Sequence, residues 1–128
     1  MTWRWRVLAV ALETMLVQPA GLVGAQSAPE PAPADAASLA RGQEIYSQHC
    51  AICHGVQGRG DGPLARTLVP RPVDLRLHMA EGHTPAELFD WVSNGVPNTA
   101  MEGFASVLSV EDRWHVINFL QTFAPESR

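Results

Sequence analysis

An all-α domain is predicted for this 128-residue chain on three observations. Three segments carry helix-start chemistry followed by apolar residues at helical spacing. The stretches between them are rich in glycine and proline, and show none of the apolar–polar alternation of strands. One short motif, Cys50-Ala51-Ile52-Cys53-His54, closes the first helical segment with no βαβ pattern around it.

The elements follow in chain order. Arg4 and Arg6 precede a mostly apolar run from Val7 to Val23, and Val23-Gly24-Ala25 supplies small residues for cleavage. Residues 1–25 therefore read as an export leader, or as the same segment kept as a membrane anchor. Glu13, Pro19 and Gly21 argue against a permanent spanning helix, which wants about 20 apolar residues. Residues 26–37 hold three prolines and no large apolar side chain, which reads as a linker. Residues 38–128 then form one small domain.

Ser38 is the expected cap of a first helix over Leu39–His49, with Leu39, Ile45 and Tyr46 on its buried face. Thr84-Pro85-Ala86-Glu87 combines a cap, a proline at the first helical position and a reciprocal glutamate. That helix should run to about Ser93 and stop at Gly95, burying Leu88, Trp91 and Val92. Ser109 opens a last helix to about Phe123, whose faces are marked by Trp114, Ile117, Leu120 and Gln121. Gly55, Gly58, Gly60, Gly62, Pro63, Pro70 and Pro72 suit loops laid over a flat cofactor.

Cys50, Cys53 and His54 spell C-x-x-C-H, the attachment signature of a c-type haem. Two thiols add across the haem vinyl groups as thioethers, and the next histidine is held beneath the iron. Three alternatives compete. A thioredoxin-like pair sits near strands, which are lacking here. Structural zinc needs about four ligands, and these are the chain's two cysteines. A disulfide leaves His54 unexplained.

A second iron ligand has several candidates. Met101 follows the second helix in a loop, which frees its thioether from helix packing. Met79 sits near a short helix or turn, where methionine commonly fills core gaps. Met101 is favoured. His49 and His115 read as surface or haem-rim residues. His78 and His83 are weaker candidates for a distal ligand or for a separate metal.

Charge narrows the partners. The chain has nine arginines, no lysine and thirteen acidic residues, a net charge of −4. Loss of the leader would leave seven arginines against twelve acidic groups. Nucleic acid, which wants a basic patch, is excluded, as is a lysine ring for docking. Any steering uses the arginines or favours a basic partner.

Four stretches then carry a resemblance: GQEIYSQHCAICHG, GRGDGPLA, LFDWVSNGVPNTAMEGF and LSVEDRWHVINFL. Together they resemble the class I cytochrome c family, in its small bacterial single-haem form, over about residues 38–124. The resemblance implies a class I cytochrome c fold, with three main helices and loops around one covalent haem c on Cys50 and Cys53. It implies His54 and Met101 as axial ligands, and a Pro63 carbonyl receiving the His54 ring N–H. Arg71 and Trp91 would lie near a propionate, and Gly42 would give close approach to Trp114 or Phe119. Glu102 departs from the proline that many relatives carry after the methionine. The implied function is a periplasmic single-electron carrier, not an enzyme, serving a redox donor and acceptor with no small-molecule substrate. Alternatives are a haem subunit or domain of a larger envelope oxidoreductase, and an open-site haem enzyme or gas sensor.

Overall fold

The first helix begins earlier than its expected cap. In the computed structural model, which describes residues 30–125, α1 spans Ala36–His49. Asp35 is its cap, and its carboxylate accepts from the Ser38 N–H at 2.8 Å. Ser38 is instead a buried first-turn residue. Its hydroxyl meets His115 Nδ1 at 2.8 Å and accepts from Asn118 Nδ2 at 2.9 Å. His115 is thereby drawn off the surface. The Asn118 amide also donates to the Ala32 and Pro33 carbonyls. The end of the predicted linker, 26–37, is thus tied to the last helix, and its final two residues are helical. The predicted leader over residues 1–25 lies outside the described residues.

After α1 come α2 (Ala51–His54), a 3-10 turn (Ala65–Thr67), α3 (Leu75–Ala80), α4 (Pro85–Asn94) and α5 (Val110–Gln121). Among the described residues no strand forms, and Gly95 and Glu102 make an isolated antiparallel bridge. The class is all-α, as predicted. α5 stops two residues short of the expected Phe123, where Thr122 and Phe123 fold into a turn on the Phe119 and Leu120 carbonyls. Among the described residues no helix is long and apolar enough to cross a membrane.

α1 crosses α5, and their facing residues make most of the core: Ile45 and Tyr46 against Trp114, Val116, Ile117 and Leu120. Leu88 and Val92 of α4 and Leu75 of α3 close it. The Tyr46 ring packs at 5.4 and 5.3 Å from Phe119 and Phe123, in the tilted geometry aromatic pairs prefer. A fork from Arg41 to Asp112 (2.8 and 3.2 Å) bridges the exposed side of the crossing, where such a pair adds little.

The start of α4 is built as its sequence suggests. Thr84 Oγ1 accepts from the Glu87 N–H, and the Glu87 carboxylate accepts from the Thr84 N–H at 2.7 Å. Replacing Thr84 with alanine removes one side of this exchange, at a cost of about 1 kcal/mol. Denaturant titration should show a lower midpoint at unchanged slope. An unchanged midpoint would mean that the cap does not hold α4.

Candidate functional site

The C-x-x-C-H motif is a helical bend at the end of α1. Cys50 joins the two helices, and its carbonyl accepts from the N–H groups of both Cys53 and His54, at 3.1 and 2.9 Å. Positions three and four apart share one face of a helical turn. Cys53 and His54 therefore both lie beside Cys50 on the turn.

The loop that follows fixes this turn from below. α2 is only four residues long, so its carbonyls lack intrahelical partners. The N–H groups of Leu64, Gly62 and Gly60 supply them, donating to Ile52 (3.0 Å), Cys53 (3.1 Å) and His54 (2.8 Å) in turn. A side chain at Gly62 would lie 2.4 Å from the Ile52 carbonyl oxygen, so glycine is required for the approach. The glycines predicted to lie over a cofactor thus serve first to cap α2. The Tyr46 hydroxyl adds a buried hydrogen bond to the Gly55 carbonyl, locking α1 to the end of α2. Sequence reasoning had assigned Tyr46 to the core alone.

The electrostatics of the three side chains follow from burial. Cys50 and Cys53 are free thiols, each half-buried. Burial, with Cys53 beside it, pushes the Cys50 thiol up to about 12, so it is protonated at neutral pH. Burial holds His54 below the usual imidazole value. The nearby Val73 backbone opposes that shift, and His78 reinforces it. His54 is therefore neutral, the form that ligates metals. Its Nδ1 is fully buried and has no hydrogen-bond partner. An unpaired buried polar atom of this kind costs about 1–3 kcal/mol.

Met101 comes from the loop after α4. Its carbonyl accepts from the Val96 N–H at 3.0 Å, and its N–H donates to Thr99 Oγ1 at 3.1 Å. Beyond it, Phe104 and Ala105 are bonded back to Val92 and Ser93 of α4. The loop is thus closed at its base and Met101 is half-buried. Met79, the alternative thioether, packs against the hydrophobic core.

The remaining predicted residues are placed less centrally. Pro63 is exposed, and the bond from the His54 ring N–H to its carbonyl that the resemblance implies is not formed here. Gly62 and Leu64 on either side of it are engaged by α2 carbonyls instead. Arg71 is exposed and forms none of the ion pairs found among the described residues. Trp91 packs against the core and against the rings of His78 and His83. His49 packs edge-on against Phe104, at 6.0 Å. Gly42 lies against the His115 carbonyl and Phe119 Cβ, so the expected neighbour Phe119 is correct and His115 takes the place of Trp114.

The donor set fits a c-type haem. Two free thiols and a neutral, half-buried imidazole sit within one short turn, and the apolar side chains of Ile52, Leu64, Val73 and Leu77 in the same stretch are exposed.

The family model described as cytochrome c oxidase, cbb3-type, subunit III, matches residues 37–120. No curated protein matches the sequence. Among solved structures the chain is similar to a component of the reducing HAO-like protein complex of Kuenenia stuttgartiensis, at 27% identity and a TM-score of 0.68. That match covers 75% of this chain and 48% of the other, so the chain spans about half the length of this relative. It is also similar to the c-type cytochrome NirC, at 27% identity and a TM-score of 0.51, over 71% of this chain and 99% of that one. A third similarity is to the dihydro-heme d1 dehydrogenase NirN, at 29% identity and a TM-score of 0.50, covering 68% of this chain and 17% of NirN.

Proposed function

The chain belongs to the cytochrome c family described as cytochrome c oxidase, cbb3-type, subunit III, and from that membership we propose that it is an exported, periplasmic carrier of single electrons with one covalent haem c. Cys50 and Cys53 would hold the haem, with His54 and Met101 as its iron ligands. One observation carries this reading. Cys50, Cys53 and His54 are gathered in a single helical turn, the Cys50 carbonyl accepting from the N–H groups of both the others.

When bound, the haem supplies the one-electron iron couple. The chain's residues do the rest. The thiols of Cys50 and Cys53 provide irreversible attachment. The loop from Gly55 to Leu64 fixes α2, and so the direction of the His54 ring. Burial keeps that ring neutral and able to donate its lone pair. The hydrogen-bonded base of the 95–102 loop presents Met101 without drawing on the core. With His54 and Met101 both on the iron, no coordination position would be open to a small-molecule substrate. The chain then serves a redox donor and acceptor, and its acidic surface favours basic docking partners. The leader over residues 1–25 supports export, and an uncut leader would serve as a tether.

A second reading is a haem subunit of a larger oxidoreductase. The family description names an oxidase subunit, the Kuenenia relative belongs to a complex, and only 17% of NirN is matched.

Met101 provides the test of closed coordination. Reduced wild-type protein should not bind carbon monoxide. Met101→Ala should bind it, and its midpoint potential should fall on the order of 100 mV, since a methionine sulfur raises the potential. Met79→Ala should leave both readings unchanged. Rapid, tight binding by the wild type would replace the carrier with an open-site haem protein.

A further inference from the structure

Outside the C-x-x-C-H turn, three metal-ligating side chains converge at the end of α3. His78 stands in the last turn, and Glu81 is the helix cap, its N–H donating to the His78 carbonyl at 3.1 Å. Gly82 follows with φ +81°, the left-handed conformation that ends helices and reverses the chain. No atom lies within 4 Å of where its Cβ would stand. The glycine is therefore there for its backbone angle and not for a close approach. The reversal brings His83 back over His78, with ring centroids 4.3 Å apart.

Between the two imidazoles sits the Glu81 carboxylate. Its Oε2 lies 3.4 Å from His78 Nδ1 and 3.2 Å from His83 Nε2. One ligand atom from each of the three residues falls within 4.8 Å of the others. Trp91 walls the back of the cluster, 5.4 Å from the His78 ring and 4.8 Å from the His83 ring. The imidazoles are about three-quarters buried, while Glu81 is 62% exposed and gives access from solvent.

The geometry points to a divalent transition-metal site of the zinc class, formed by His78, Glu81 and His83. Tetrahedral zinc holds nitrogen and oxygen ligands at about 2.0–2.2 Å, which places ligand atoms about 3.3 Å apart. Both carboxylate-to-imidazole separations already have that value. The two imidazole ligand atoms lie within 4.8 Å of each other, so small side-chain adjustments are what metal binding would require. Two histidines and a glutamate leave the fourth position to water or another ligand. An ion pair alone does not account for the arrangement. An exposed carboxylate shared by two imidazoles contributes little, yet both rings are held together against an aromatic wall.

The experiment uses the full chain in its haem-loaded form, stripped of loose metal with a chelator and titrated calorimetrically with Zn2+ alone. One equivalent of Zn2+ per chain, beyond the haem iron, is expected to remain after desalting. Glu81→Gln and His83→Ala should each weaken binding about tenfold or more, with the haem spectrum unchanged. Wild-type binding no tighter than that of a His78→Ala/His83→Ala double variant overturns the proposal. So does a His78→Ala variant that alters the haem spectrum while keeping Zn2+ affinity, because His78 then belongs to the iron. Both results leave the Met101 test standing, so failure here is distinguishable from failure of the carrier reading.

Discussion

With Cys50 and Cys53 both replaced by serine, the chain matured in a host that attaches haem c is expected to weigh only what its amino acids weigh. A hydroxyl does not form the thioether, and no other cysteine exists in the sequence. The wild type should carry the added mass of one haem. The effect extends beyond the cofactor. A domain of this length buries a modest core, and here it leaves Ile52, Leu64, Val69, Val73 and Leu77 between 43% and 91% exposed in the stretch after the motif. Each such side chain gains roughly 1.5–3 kcal/mol when fully covered. Loss of an apolar body held against them should therefore lower stability by several kcal/mol, a large share of the 5–15 kcal/mol typical of a domain. Intact mass and thermal denaturation read the two effects separately. A wild-type chain without added mass would end the haem reading, and a double-serine variant that keeps covalent haem would move the attachment elsewhere.

Much of this fold was legible because its signals are local. The α4 start is written in four consecutive residues, and Thr84 and Glu87 pair in the structure as their spacing implies. The Ser109 cap of α5 is equally local, accepting from the Asp112 N–H at 3.0 Å. Cys53 and His54 fall beside Cys50 because three- and four-residue spacings do so on any helical turn. What stayed hidden depends on distant partners. Ser38 and Asp35 are both good caps, and nothing nearby ranks them. The choice is made by His115 and Asn118, 77 and 80 residues away, which take the serine hydroxyl into the core. Tyr46 looked like a core aromatic because its acceptor is a carbonyl with no sequence signature. Glu81 was missed as a companion of His78 and His83 for a similar reason. Their convergence depends on the left-handed turn at Gly82, and an isolated glycine in a polar stretch signals a turn without saying what it brings together.

Gly42→Ala is the substitution where a local rule and a packing rule make opposite forecasts. Helix propensity alone favours alanine by about 1 kcal/mol in the middle of α1. The alanine Cβ, however, would stand 2.1 Å from the His115 carbonyl oxygen and 2.8 Å from Phe119 Cβ. The first of these is α5 backbone, which no rotamer change can move. α1 must back away from α5, and the crossing carries Ile45, Tyr46 and Ile117 together with the Ser38–His115–Asn118 bonds. Overpacking costs about 1–3 kcal/mol where side chains can yield, and more where backbone is struck. The packing term should win, for a net loss of about 2 kcal/mol or more and a fall in Tm on the order of 10 °C. Gln43→Ala, one residue along on the exposed face, gains propensity without the clash and should stay within about 0.5 kcal/mol of wild type. The displacement also reaches the site, because Tyr46 leaves α1 to hold the Gly55 carbonyl and Cys50 closes the same helix. A Gly42→Ala protein as stable as the wild type would mean that the two helices do not cross this closely, and that the C-x-x-C-H turn is positioned by something other than their contact.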